Sequence, residues 1–230
     1  MPNFNYENPT NIHGGSMQTG EEQLFSLVLD GLAYDGYRNL TLEEIRRRGA
    51  DPEAVGRYGS VEELCESALT DAAERIALAY DSVTGEARAY LRAPCPGRDE
   101  GFKQLERLLY RHIYLCFHPK NRSYVLVAAG ESQLPPELQR ILPDALYRQF
   151  GTVLAGLIMA VSEVKNAQMS AMMACSICGS INIFVQQPMY CRNMFVGETR
   201  EKPNYAVIED FLNNYFLRGV AANTAINKPF

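Results

Sequence analysis

Cys175 and Cys178 stand three residues apart inside Met172-Met173-Ala174-Cys175-Ser176-Ile177-Cys178-Gly179. Such a pair can exchange a disulfide or hold a metal, provided the thiolates are accessible. Here the neighbours are small and apolar at helical spacing, and no strand precedes them. The expectation is therefore two small packed side chains. His112 and Cys116 are four apart and share a helix face, so with His118 and the two folded-in thiols they would offer nitrogen and sulfur ligands for zinc. The spacing is not that of a zinc module, and we expect core or pocket placement with no metal site. No glycine-rich phosphate loop follows a strand, and no nucleophile is spaced to a base. With three histidines in the chain, acid–base equipment is sparse. The reading is no enzyme, no catalytic residue and no cofactor.

The other chemically pointed feature is Arg46-Arg47-Arg48. Three guanidinium groups in a row suit phosphate oxygens. The plainer reading is a solvated helix end, where cations are favourable anyway. Residues 37–60 hold five arginines against four carboxylates, in a chain of net charge −5. That balance excludes a uniformly basic nucleic-acid coat but permits a local patch.

These groups must be positioned by helices. Leu24, Phe25, Val28, Leu29 and Leu32 recur at helical spacing over Glu21–Tyr34. Thr41 with Glu44 is a capping box opening Leu42–Arg48, which Gly49 ends. Asp51-Pro52 starts a second short helix to about Tyr58. Ser60 with Glu63 opens a long helix to Tyr80 or beyond. Further helices are expected over Gly101–Phe117, Arg122–Ala129, from Pro135-Pro136, and over Pro143–Lys165, Ala167–Gln187 and Asn204–Ala221. No segment alternates as a strand does, so the fold class is all-α. Two short helices joined by a tight turn, after a longer one, have the size and order of a helix-turn-helix unit.

At this point the sequence resembles the TetR family of transcriptional regulators. The matching residues are Gly36-Tyr37, Leu40-Thr41-Leu42-Glu43-Glu44-Ile45, Gly49-Ala50-Asp51-Pro52, and Tyr58-Gly59-Ser60 with Glu62-Glu63-Leu64. The likeness covers about residues 21–69. The chain is two residues short between Thr41 and Ser60, carries Gly56 where an aromatic is usual, and Val61 where a lysine is usual. The resemblance implies a three-helix DNA-binding head over 21–65 on a helical effector-binding and dimerisation body over 66–222, between tails at 1–20 and 223–230.

Candidate DNA contacts are Thr41, Arg46, Arg47, Asp51, Arg57 and Tyr58. The apolar mass of Val153–Val161 and Met169–Phe184 suggests the wall of a cavity for a small apolar effector. Its expected lining is Phe102, Leu105, Leu109, Tyr110, His112, Met159, Met173 and Phe184. Val207, Ile208, Phe211, Leu212, Tyr215 and Phe216, with Ile181 and Val185, form apolar stripes that would pair two copies as a four-helix bundle. The longest apolar run has nine residues against roughly 20 for a membrane span. No secretory signal pattern opens the chain. The expected partners are therefore double-stranded operator DNA, the effector and a second copy, without a membrane, in the cytoplasm. The alternative is a regulator-derived ligand-binding or protein-interaction protein that no longer reads an operator. Cysteine is sparse, as in a reducing compartment.

Overall fold

The structure is a computed structural model that describes residues 20–95, 97–162, 166–187 and 205–222, with side chains in the last segment from 210 to 221. The expected tails, the loop after Gln187, and the side chains of Val207 and Ile208 lie outside the described residues. Among those described, no strand occurs.

The helices are α1 (Gly20–Tyr34), α2 (Leu42–Arg47), α3 (Pro52–Val55), α4 (Val61–Arg92), α5 (Arg98–Phe117), α6 (Arg122–Ala129), α7 (Ile141–Pro143), α8 (Gln149–Val161), α9 (Ala167–Gln186) and α10 (Tyr205–Ala222). The caps read from the sequence are formed. Thr41 accepts from the Glu44 amide at 3.1 Å, Asp51 from the Glu53 amide at 3.1 Å, and Ser60 from the Glu63 amide at 3.2 Å. Gly49 takes φ +96° in the turn between α2 and α3, a conformation that disfavours any side chain.

Three expectations are corrected. The segment after Pro135-Pro136 forms turns, because the Leu138 amide bonds back to Pro135 and the Gln139 side chain to the Leu134 carbonyl. The helix expected over Pro143–Lys165 starts earlier, at α7, passes through a π-helical turn at Asp144–Arg148, and stops at Val161. Ser162 ends it with extended backbone, its amide and hydroxyl both bonded to the Ile158 carbonyl. The helix expected to reach Tyr58 ends at Val55, where the Arg57 and Tyr58 amides turn back three residues instead of four.

Helix α4 links α1 to α5, α7 and α8. Leu64, Cys65, Ala68, Leu69, Ala72, Ile76, Tyr80, Thr84 and Ala87 bury one stripe along it. Helices α1 to α3 pack against one another, and α1 packs on α4 and α6, while α5, α7 and α8 pack farther along α4. Arg75 of α4 binds Glu22 of α1 at 3.1 Å and Asp71 at 2.7 Å. Ser123 of α6 hydrogen-bonds Asp30 of α1. Gly101 brings α5 against α4 and α8, since a Cβ there would meet the Tyr90 ring and Val161.

The middle of the body holds a buried polar pair among rings. Tyr80 Oη and His112 Nδ1 share a 2.5 Å hydrogen bond. The Phe150 ring stacks on His112 at 4.0 Å between centroids, and Tyr147 meets it edge-on at 6.4 Å. Burial drives the His112 pKa from 6.5 down to about 3.

Two measurements check this core. Gly101→Ala should cost about 1–3 kcal/mol in denaturant unfolding, as overpacking does. The unfolded state takes up the His112 proton below its ordinary pKa and the folded state does not. Stability should therefore be full above pH 6.5 and fall by about 1.4 kcal/mol per unit as pH drops from 6.5 towards 5. His118, more exposed and also shifted down by burial, adds less. His112→Leu should start less stable but lose most of that slope.

Candidate nucleic-acid interface and ligand groove

The head uses its charges unevenly. Arg47 is exposed but lies along Glu44, with Nε and Nη2 donating at 2.8 and 3.0 Å. Arg48 is half-buried and pairs with Asp35 at 2.8 Å and Glu44 at 3.0 Å. These hydrogen bonds, from Arg47 first and then Arg48, hold the Glu44 carboxyl below its ordinary pKa. Of the run, Arg46 is exposed and takes part in no ion pair among the described residues. Arg57, just past α3, is likewise exposed and unpaired, and so is Arg38 in the turn before α2.

The other head candidates carry structural duties. Thr41 and Asp51 are exposed and spend their oxygens on the caps of α2 and α3. Tyr58 is half-buried, packs edge-on against Phe25 at 6.4 Å, and donates to Glu21 at 3.3 Å. Tyr37 donates to Glu62 at 2.7 Å, tying the turn before α2 to the start of α4. In and around α3, Asp51, Pro52, Glu53 and Gly56 are exposed, while Ala54 and Val55 are buried.

In the body, the residues expected around an effector separate. Leu105, Leu109 and His112 are fully buried. Phe102 is half-buried under the Arg98 guanidinium, 5.6 Å from its ring centre. Tyr110 donates to Asp210 at 3.0 Å, joining α5 to α10. Met159 is exposed, and Met173 and Phe184 are half-buried, the latter 6.4 Å from the Phe117 ring.

A groove of about 540 Å³ opens elsewhere, between α4 and the α7–α8 stretch. Ala73, Ala77, Ala145, Ile141 and Val153 contribute apolar walls, and Glu74, Arg88, Asp144 and Arg148 contribute charge. The π turn at Asp144–Arg148 forms part of its side. None of the eight expected effector residues lines it. Alanines at 73 and 77 were the one sequence signal for it, and four-residue spacing of small residues is too common to single them out.

The expected pairing stripes also divide. Ile181, Val185, Leu212 and Phe216 are buried inside this chain. Phe211 and Tyr215 are 52% and 62% exposed, and their rings stack at 5.8 Å. On α9, Met169, Met172 and Ile183 are exposed beside Ala171, Cys175 and Gly179. By length and composition alone α9 is apolar enough to cross a membrane, with 33% of that window buried. Cys178 faces the core, and burial pushes its thiol up to about 12, so it is not a thiolate at neutral pH. All five cysteines among the described residues are unbridged, and no three metal-binding side chains converge among those residues.

No family model and no curated protein matches the chain. Among solved structures it is similar to a bacterial regulatory protein of the TetR family from Rhodococcus RHA1. The match has a TM-score of 0.54 and 18% identity, and covers 89% of this chain and 98% of that one. At that identity, what is shared is the path of the backbone, and function is carried by sites rather than by fold. From α1 to α10, the chain has the fold of a TetR-family regulator.

Proposed function

We propose that this protein is a ligand-responsive, homodimeric, DNA-binding transcriptional regulator. The observation that carries the reading is the likeness to a regulatory protein over nearly the full length of both chains. A match confined to the body would have supported only a helical binding protein.

The head over 21–65 is the DNA-binding part of this reading. Arg46 and Arg38 supply phosphate contacts, and Arg57 reaches base edges from the end of α3. Arg47 contributes by exchanging Glu44 for a phosphate. The exposed apolar faces of α9 and α10 supply the contact between two copies, centred on Phe211, Tyr215 and Met172, and so bring two heads to a two-fold site. An effector acts by preferring one arrangement of α4 and α6 against α1, and its leverage equals its difference in affinity between the two arrangements. Leu105, Leu109 and His112 would meet such a molecule only in an opened core.

Mobility shift against fragments of the source genome tests the DNA half. The expected result is retardation that weakens steeply with salt. Arg46→Ala should weaken all fragments alike and lower the salt slope by about one, whereas Arg57→Ala should relax discrimination by about 1–3 kcal/mol at one or two base pairs. If no fragment is retarded at low salt, the chain is a regulator-derived binding protein that has lost its operator, as the short α3 would then explain.

Sedimentation tests the pairing. An obligate interface buries about 2,000 Å² or more in total, so the wild-type chain should run as a dimer at micromolar concentration. Phe211→Glu should give folded monomers, because Phe211 projects out of its own core. A monomeric wild type would overturn the dimer and with it the two-headed grip.

A further inference from the structure

The geometry points to the α4/α8 groove as a binding site for an amphipathic carboxylate, its head on Arg88 and its chain running towards Ala77. Arg88 is half-buried at the groove wall and makes no ion pair or hydrogen bond among the described residues. The other arginines that α4 and α8 hold half-buried or at their junction are paired: Arg75 with Glu22 and Asp71, and Arg148 with Asp144 at 3.5 Å. A guanidinium partly removed from water without a counter-charge gains more from an incoming carboxylate than an exposed one does. Its planar fork also matches that group with two parallel bonds.

The groove favours an anion over a cation. Its unpaired acid, Glu74, is exposed. It is also about 21 Å from Arg88 along α4, at 1.5 Å per residue over fourteen residues. Leu91 packs on Gly156, which sets Arg88, almost one turn earlier, towards the α8 end of the groove, whose lining includes Thr152. From there towards the head the apolar lining is Val153, Ala145, Ala77, Ile141 and Ala73, which an alkyl chain would cover in part, with Gln149, Arg148 and Asp144 among them. The volume of about 540 Å³ falls within the roughly 300–1,000 Å³ usual for small-molecule sites.

Two further features bear on this. The π turn at Asp144–Arg148 widens the helix that forms the far wall, and single π turns recur at functional sites. The near wall is α4 itself, the helix that also packs on α1 and α5. A chain wedged there would press on the helix that carries the head. That consequence rests on the regulator reading; binding itself does not.

The test is titration calorimetry of the full chain with sodium decanoate below its micellar concentration, with decanol, decylamine and acetate alongside. The expected result is saturable binding of one decanoate per chain, at least about tenfold weaker for decanol, which cannot pair with the guanidinium, and absent for decylamine and acetate. Arg88→Gln should weaken decanoate at least about tenfold, the loss of one charge-assisted pair. Ala77→Trp should abolish binding by filling the floor, and Arg92→Gln should leave it unchanged. Should Ala77→Trp not fold, Arg88→Gln decides. No decanoate binding by the wild type, equal binding by Arg88→Gln, or preferential binding of decylamine overturns the assignment. Binding of decanoate without retention of any DNA fragment leaves the groove standing and removes the regulator reading. DNA retention without decanoate binding does the reverse.

Discussion

Over Val61–Arg92, α4 buries one stripe of residues, and that stripe serves the α1–α3 head first and the body afterwards. A helix of 32 residues spans about 48 Å. Leu64, Ala68 and Leu69 are buried near its start, and Tyr80, Thr84 and Ala87 farther along, where Tyr80 meets His112 of α5 and Phe150 of α8. The stripe cannot rotate to suit one end without exposing the other. That rigidity turns two helix clusters into a mechanically connected molecule. It also explains why the ties from head to body converge nearby, with Arg75 reaching Glu22 from α4 and Ser123 reaching Asp30 from α6.

Polar groups inside the body are arranged around the same helix. His112 of α5 meets Tyr80 of α4, and Phe150 of α8 closes over the imidazole. Tyr80 Oη and His112 Nδ1 satisfy each other, and His112 Nε2 lies 3.8 Å from Cys116 Sγ, so the cluster holds without charge. The rings of Tyr80, Tyr147 and Phe150 pack around that imidazole and one another. A groove opens between α4 and the α7–α8 stretch, with Ala73, Ala77, Ala145 and residues of the π turn in its lining.

The head shows a similar division of labour. Its surface is short of free cations because two of its three consecutive arginines are held by Glu44 and Asp35. Those pairs lie at the surface, where water and salt screen them, and contribute little to stability. Their consequence is geometric. They fix the end of α2 against the turn at Asp35 and leave Arg46 as the projecting member. The capping oxygens of Thr41 and Asp51 are spent in the same way, on helix ends that would otherwise leave amides unbonded.

Much of this was determined by local chemistry and could be read in the sequence. Thr41, Asp51 and Ser60 start helices because a side-chain oxygen three residues or fewer from an orphan amide needs no tertiary help. Gly49 makes its turn because only glycine accepts that backbone at no cost. The spacing of Leu24, Val28 and Leu32 sets the face of α1 that must be covered. Tertiary structure decided what covered each face. Ile181, Val185, Leu212 and Phe216 fit an intermolecular stripe as well as a core, and packing within the chain took them, leaving Phe211 and Tyr215 outside. Leu105, Leu109 and His112 fit a pocket wall as well as a packed interior, and rings from α4 and α8 took that space. The same holds for Arg47 and Arg88. A sequence shows that a guanidinium is present, but whether a carboxylate stands beside it depends on how distant segments meet. Periodicity carries the direction of a side chain relative to its own helix, and contacts between helices are long-range, so the faces were legible and their partners were not.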